Sequence, residues 1–473
     1  MQEKDIKFGT SGWRAIIGEQ FSFSNARLVT QAIAEYILSE NSVNKKSKQP
    51  SAIVGYDSRF LGERFALESA KILLSNNIKP LLTKTDTPTP VIAYEIIRRK
   101  AGCGINYTAS HNPSEYNGIK FSPAYGGPAF SEITNKIEKK IRRLREKGDL
   151  ASELPPKIDI EYIDPREAYF KRLKELVDLG VLKKLKIIVD PLYGTARHYF
   201  PSLMDGCKCR YKIINGWRDV LFGGKPPEPS KENIEELIKE VRREKANIGI
   251  ATDGDADRFG IIDSDGTYYN PNAVVTLLFY YLHKTRRWND AVVRTVATTY
   301  MIDALAKKYD IEVIEKPVGF KYIAEVMQKR DITIGGEESG GLTIRGHIPE
   351  KDGILACLLM AEMVATEKKT IKEIMHNLYK EFGIFLSNRI NLRLNEDMDK
   401  NLRKNLNIDR KEIAGLKIVK KITIDGTKFL FQDNSWLLFR FSGTEPVVRV
   451  YAEADSLKKI NVLIEAGKKL ASK

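Results

Sequence analysis

Three aspartates at alternate positions, Asp253, Asp255 and Asp257, fall within the run Thr252-Asp253-Gly254-Asp255-Ala256-Asp257-Arg258-Phe259-Gly260. Carboxylates this close repel one another unless a cation stands between them, and three hard oxygens in a short loop suit one hard divalent ion. The loop is not an EF-hand: Arg258 falls where glycine is needed and Ser264 where a bidentate glutamate is needed. Three protein oxygens leave room in an octahedral shell for a phosphate oxygen and water, which is the habit of Mg2+.

A hydroxyl supplies the second chemistry. Thr108-Ala109-Ser110-His111-Asn112-Pro113 follows an apolar run through Ile105 and Tyr107. Pro113 breaks that run, so Ser110 and His111 should stand on a loop at a strand end. A hydrolase elbow would need glycines around the serine, and Ala109, His111 and Asn112 supply none. A Gly-x-x-x-x-Gly-Lys-Ser phosphate cradle is also absent. What remains besides a plain turn is a serine that carries a phosphoryl group and passes it on.

Four further stretches offer company for that serine. In Asn117-Gly118-Ile119-Lys120-Phe121, a turn at Gly118 would bring Lys120 back beside Ser110 to offset charge or move a proton; a surface lysine is the plainer alternative. Near the start, Phe8-Gly9-Thr10-Ser11-Gly12-Trp13-Arg14 is either an anion-holding turn, through Thr10, Ser11 and Arg14, or a connecting one. Gly335-Gly336-Glu337-Glu338-Ser339-Gly340-Gly341 lines a flexible loop with acceptors, suited through Glu337 and Ser339 to the hydroxyls of a polyol. Arg440-Phe441-Ser442-Gly443-Thr444-Glu445-Pro446, with Arg449 beyond it, would cradle a phosphate dianion. Arg294, on a strand, and Lys321, after Pro317-Val318-Gly319-Phe320, are further substrate-binding candidates.

The elements that must position these residues read as βα units. Strands at Ala52 to Gly55, Leu81 to Leu82 and Gly102 to Thr108 alternate with helices at Glu63 to Asn76 and Pro90 to Arg99. Ile133, Ile137, Ile141 and Leu144 recur at helical spacing, with Glu138 and Arg142 placed to pair across a turn. Asp149 to Lys157, with Pro155-Pro156, reads as a linker. A second series has strands at Lys186 to Asp190 and Asn247 to Ala251 around a helix at Lys231 to Glu244. A third has strands at Ala291 to Val296 and Ile311 to Ile314 around a helix at Tyr300 to Lys308. The last stretch changes to strands at Asn388 to Leu394, Val419 to Ile424, Trp436 to Phe441 and Val447 to Ala452 before an amphipathic helix, an α+β domain.

The 473 residues carry 77 Lys and Arg against 62 Asp and Glu, a net charge of +15 that favours anionic partners. The basic residues are interspersed with acidic ones, which argues against a nucleic-acid arm and leaves small phosphates. Cys103, Cys207, Cys209 and Cys357 have no metal-site spacing and suit a reducing compartment. Met1 to Asp5 is not an apolar signal segment, and the apolar runs near Val274 to Leu282 and Ile354 to Ala361 are too short to span a bilayer. A cytoplasmic protein without membrane or nucleic-acid partners is expected.

Taken together, the chain resembles the α-D-phosphohexomutase superfamily. Thr108 to Pro113 matches its phosphoserine loop, Asp253 to Arg258 its metal loop, Gly336 to Gly341 its sugar loop and Arg440 to Pro446 its phosphate loop, in the family's order. The resemblance implies an α/β fold of three similar mixed or parallel-sheet domains, 1–157, 158–264 and 265–380, plus a mobile α+β domain, 381–473, around a central cleft. It implies that Ser110 carries the phosphoryl group and joins Asp253, Asp255 and Asp257 around Mg2+, with His111, Lys120 and Arg258 as candidates for proton movement and charge stabilisation. Glu337 and Ser339 would hold sugar hydroxyls, and Arg440, Ser442, Gly443, Thr444 and Arg449 the non-reacting phosphate. A hexose 1,6-bisphosphate would be intermediate and activator, and the enzyme a monomer or homodimer. Within the family, the Gly-Glu-Glu-Ser-Gly-Gly loop and the Val-Gly-Phe-Lys turn point to phosphoglucomutase, with phosphomannomutase next. The glucosamine phosphate branch usually has glutamine at the position of Glu338 and histidine at that of Gly341. A metal-dependent phosphatase and a non-catalytic sugar-phosphate sensor are the readings from other classes.

Overall fold

The computed structural model describes residues 6–9, 11–43, 49–148, 159–442 and 447–472. The expected linker, 149–157, therefore lies outside the described residues, as do Thr10, Gly443 and Thr444. The chain divides into two compact units, each built from separate stretches: Met1–Pro271, Ala324–Arg330 and Ser339–Thr370 in one, Asn272–Ile323, Asp331–Glu338 and Ile371–Lys473 in the other.

The first unit contains two sheets. One orders its strands Trp13–Ile16, Tyr116–Pro123, Cys103–Tyr107, Ser51–Tyr56, Lys79–Thr83, Glu161–Ile163. Ser51–Tyr56 runs parallel to both neighbours, whereas Tyr116–Pro123 runs antiparallel to Cys103–Tyr107 and to Trp13–Ile16. The apolar runs Ala52 to Val54 and Cys103 to Tyr107 are buried because helices cover them, among them Phe23–Val43 and Gly62–Ser75, whose Val29, Ile33, Phe65 and Leu73 share the core with Val54 and Ile105. Ile137, Ile141 and Leu144 of Ser131–Lys147 enter that core, as their spacing predicts. Glu138 accepts the Phe8 amide at 2.8 Å.

One expectation is corrected here. Asn117 to Lys120 form a strand, not a turn, and Lys120 is delivered by its register opposite Asn106. Gly118 is needed for close approach: a Cβ there would stand 2.6 Å from the carbonyl oxygens of both Thr108 and Trp13.

The second sheet orders Tyr268–Tyr269, Phe259–Asp263, Ile248–Thr252, Lys186–Asp190, Arg210–Ile213. Ile248–Thr252 and Phe259–Asp263 are antiparallel, so the aspartate loop is the connection of a hairpin at the end of a fully buried strand. The helix Gly353–Glu367 lies on these strands, buried from Gly353 to Ala365 and apolar there except for Glu362, with the Cys357 thiol donating to the Ala251 carbonyl.

In the second unit, Val313–Lys316, Val292–Thr295 and Ile334–Gly336 run parallel. The C-terminal sheet is antiparallel, in the order Leu386–Arg393, Val447–Ala454, Trp436–Phe441, Thr427–Phe431, Leu416–Ile422, Glu412–Ile413. Alternation sorts its faces: Leu437, Phe439, Val448 and Val450 pack with Leu402, Leu463 and Ile464 of the helices Glu396–Asn407 and Leu457–Ser472. Trp436, Leu438 and Tyr451 point the other way and pack with Val296 and Ala297.

Candidate active site

Ser110 follows the strand Cys103–Tyr107 in a turn, 1% exposed, with a left-handed φ of 51°. Its Oγ donates to Asp253 Oδ2 at 2.7 Å and stands 3.4 Å from His111 Nδ1. Asn112 Oδ1 accepts from Arg14 at 2.6 Å, which brings the guanidinium from the strand Trp13–Ile16 to the serine loop. Burial depresses the Arg14 guanidinium, against Asp255. Burial, then Arg258 and Arg14, hold His111 well below the ordinary histidine range, so it is a neutral ring at physiological pH.

Asp253, Asp255 and Asp257 are all 0% exposed, and each offers one oxygen within 4.8 Å of the others. Gly254 lets this hairpin meet the serine loop: a Cβ would lie 2.9 Å from the Ser110 carbonyl oxygen. Lys120 donates to Asp255 Oδ2 at 2.6 Å and Asp257 Oδ2 at 2.7 Å, and Lys351 Nζ lies 3.0 Å from Asp257 Oδ2. Thr89 donates to Asp255 Oδ2 at 2.5 Å, and the Arg258 amide to Asp253 Oδ1 at 2.9 Å. Among the described residues, Asp255 Oδ1 and Asp257 Oδ1 are buried without a hydrogen-bond partner. Buried carboxylate oxygens left unpaired are costly, so the donor set fits a hard divalent cation, which would satisfy them. Burial, and next the charges of Asp255 and Asp257, push Asp253 well above the carboxylate range. Burial alone would do the same to Asp257, but Lys120 and Lys351 outweigh it and hold that carboxyl ionised. Burial would likewise depress Lys120, and Asp255 and Asp257 overcome it.

The first unit thus gathers Ser110, His111, Lys120, Asp253, Asp255, Asp257, Arg258 and Arg14 into one cluster. It also brings in residues that sequence reasoning missed: Asp57, Arg59, Thr89, Glu350 and Lys351. Asp57 and Arg59 follow the strand Ser51–Tyr56 at its carboxyl end, where ligands of α/β sheets gather, and that position was the available signal. Glu350, pushed up to about 7 by burial, and Lys351 directly precede Asp352, the cap of a buried helix, so they read as part of that helix start.

In the second unit, Glu337 is 5% exposed, and Glu338 accepts from Thr295 at 2.9 Å and from Tyr451 at 3.4 Å. Ser339 belongs to the first unit. Arg440 and Arg449 are opposite each other on adjacent strands, half-buried, with Arg440 Nε donating to Asp425 at 2.7 Å. Ser442 and Lys321 are half-buried, and burial depresses the Lys321 ammonium. Arg294 is placed differently from the expectation. It is 2% exposed, with its guanidinium on both oxygens of Asp303 at 2.6 and 2.7 Å and on Glu315 at 2.7 Å, so it ties the strand Val292–Thr295 to the following helix.

A buried serine on a carboxylate trio, backed by lysines and arginines in an α/β protein, is a combination that phosphoryl transfer can use. Four family models match in order: Phosphoglucomutase/phosphomannomutase alpha/beta/alpha domain I over 5–148, domain II over 167–266, domain III over 270–382 and the C-terminal domain over 390–466. The chain is 30% identical over 474 residues to a phosphoglucomutase/phosphomannomutase of Thermococcus kodakarensis, covering 98% of each. It is 29% identical to a phosphoglucosamine/phosphogalactosamine mutase of Sulfurisphaera tokodaii, again covering 98% of each. A crystal structure from Thermus thermophilus, described as a phosphomannomutase, superposes with a TM-score of 0.85 at 31% identity, covering 99% of this chain and 100% of that one. The chain belongs to the phosphoglucomutase/phosphomannomutase family of α-D-phosphohexomutases and is a phosphohexomutase. Among the described residues, no helix is long and apolar enough to cross a membrane.

Proposed function

We propose that the enzyme interconverts glucose 1-phosphate and glucose 6-phosphate through a phosphoserine at Ser110 and glucose 1,6-bisphosphate. The observation that carries this is the 2.7 Å bond from Ser110 Oγ into a carboxylate trio with two unsatisfied buried oxygens. In the first transfer the serine Oγ–P bond breaks as a sugar hydroxyl oxygen forms its bond to phosphorus, giving the bisphosphate. That hydroxyl loses its proton and Ser110 Oγ takes one up. In the second, Ser110 takes the other phosphoryl group and the released sugar oxygen gains a proton. Neutral His111, 3.4 Å from Oγ, can exchange that proton, and Lys120 and Arg258 offset the charge. Asp253, Asp255 and Asp257 would hold Mg2+, with Ser110 or its phosphate, and the ion would draw charge from the phosphoryl oxygens.

Glu337 and Ser339 grip sugar hydroxyls in this reading, Arg440, Ser442, Gly443, Thr444 and Arg449 take the non-reacting phosphate, and Ser11, Arg14 and Lys321 are further substrate-binding candidates. The bisphosphate also serves as activator. Domain boundaries at 157, 264 and 380 fall in or near the gaps between the family-model matches, which supports them. All four cysteines are free thiols, which supports a cytoplasmic setting. A second reading, an amino-sugar phosphate substrate, is favoured by the phosphoglucosamine mutase names among the relatives. Glutamate at position 338, bound by Thr295 and Tyr451, supports glucose.

The test is a coupled assay of glucose 1-phosphate conversion with Mg2+ and a trace of the 1,6-bisphosphate, on wild type and Ser110→Ala, beside mannose 1-phosphate and glucosamine 1-phosphate. Turnover fastest on glucose and lost in Ser110→Ala is expected. Faster turnover of glucosamine phosphate would replace the substrate, and phosphate release without isomerisation would replace the reaction.

A further inference from the structure

We propose that Arg59 is the positioning residue for phosphoryl transfer at Ser110, an inference that rests on the phosphoserine reading above. Its guanidinium is 0% exposed and has five N–H donors, and five acceptors surround it. Nη2 donates to the carbonyls of Ser110 at 2.7 Å and Asn112 at 2.6 Å, and Nη1 to those of Pro113 at 2.7 Å and Tyr116 at 2.9 Å. Nε donates to Asp57 Oδ2 at 3.1 Å. Four of the five acceptors therefore belong to the reactive loop and its exit.

Asp57 closes the arrangement. Its Oδ1 accepts the Arg59 amide at 3.0 Å and its Oδ2 the Thr108 hydroxyl at 2.6 Å, and Thr108 Oγ1 in turn accepts the Ser110 amide at 2.8 Å. Both backbone groups of Ser110 are thus held, the N–H by Thr108 and the C=O by Arg59. That matters because a non-glycine residue in the left-handed region is strained and persists only where its surroundings fix it. With the backbone fixed, Oγ points at Asp253. The clamp has its own support: the Phe222 ring lies 5.0 Å from the guanidinium, and Arg218 donates to the carbonyls of Ser58 and Arg59. None of these bonds involves Ser110 Oγ, so Arg59 acts through the loop backbone. A lysine would keep the charge but has three donors on one atom and cannot span four carbonyls.

The test uses the full chain, wild type beside Arg59→Lys, Arg59→Ala and Thr108→Val. Ser110 is loaded from glucose 1,6-bisphosphate in a single turnover read by intact mass, and kcat, KM and melting are measured alongside. Loading and kcat about 100-fold slower in Arg59→Lys, with KM within about twofold and a cooperative melt, are expected, the loss a small misplacement of a reacting group brings. Guanidinium ion should restore at least part of the rate in Arg59→Ala, which a residue serving only the fold would not permit. A folded Arg59→Lys with wild-type loading and kcat overturns the proposal. If neither Arg59 variant folds, Thr108→Val, which removes one backbone tether, decides: slowed loading supports positioning through the loop backbone, and wild-type loading overturns it. Wild type that never becomes phosphorylated on Ser110 sinks the phosphoserine reading instead.

Discussion

The aspartates of the first unit and the candidate phosphate-binding arginines of the second are held in opposite ways. In the first, Asp253, Asp255 and Asp257 are completely buried, already contacted by Ser110, Lys120, Lys351 and Thr89, and still left with two oxygens lacking a partner. In the second, Arg440 and Arg449 are only partly buried, and Arg389 on the adjacent strand Leu386–Arg393 is exposed. The only buried arginine among the substrate-binding candidates there, Arg294, is taken up by Asp303 and Glu315. Under the proposed reading, the difference fits the part of the reaction each set of residues would serve. A transferring phosphoryl group needs fixed, desolvated partners before it arrives, whereas a non-reacting phosphate must enter and leave at each turnover. On that reading the acids of the first unit are set in advance, and the arginines of the second are left accessible to a phosphate.

The largest effect should come from the first unit's metal loop. Asp255→Asn keeps the shape and removes one charge, and we expect kcat to fall on the order of 100-fold or more, the range seen when a preorganised charge partner is lost. Chelation of wild type should abolish turnover and Mg2+ restore it. Mg2+ should also raise the melting temperature of wild type, because a ligand that binds the folded state alone stabilises it, and raise it less in Asp255→Asn. An equal rise in both would mean that the ion binds elsewhere.

A smaller effect of a different kind should come from the second unit. Arg440→Lys keeps the charge and loses the planar fork, and we expect KM to rise about tenfold, near 1.4 kcal/mol, with kcat changed less than about threefold. A fall in kcat at constant KM would break the division of labour, because it would give Arg440 a part in the chemical step.

What was legible in the sequence follows the same division. Residues that act from short local patterns, the aspartate loop and the serine loop, could be read because hairpin and strand-end geometry is encoded within a few positions. Strands such as Lys186–Asp190 and Trp436–Phe441 were legible to the residue because they are apolar runs bounded by breakers. Lys120 was found for the wrong local reason: its position depends on pairing of Asn106 with Lys120, a register no local pattern prints. Arg59 was missed because all of its loop acceptors are backbone carbonyls more than fifty positions away, and carbonyls have no sequence signature. Arg294 looked like a ligand group because Asp303 and Glu315 lie on separate elements. Strand Thr427–Phe431 went unread because Lys428, fully buried between the Tyr300 and Trp436 rings, breaks its apolar pattern.

The smallest effect tests whether burial or the missing counter-charge sets the behaviour of the first unit's acids. Asp190 ends the strand Lys186–Asp190 and is 1% exposed; its Oδ1 accepts from the Leu192 amide at 2.9 Å and from Asn215 at 3.2 Å, while Oδ2 has no partner. Unlike Asp255 and Asp257, it has among the described residues no lysine contact of the kind that Lys120 gives them, and burial pushes it up to about 7. The folded form then keeps a proton that the unfolded chain loses near pH 4. Its contribution to stability is complete below that pH and is lost as pH rises toward 7, at about 1.4 kcal/mol per unit of pKa difference at most. Asp190→Asn preserves the Oδ1 acceptor and cannot ionise, so its stability should fall less between pH 5 and pH 8 than that of wild type, read as the difference in melting temperature between the two proteins at each pH. Equal pH dependence would mean that Asp190 is ionised in the folded protein throughout, and that burial in this unit is tolerated by a charge without a lysine beside it.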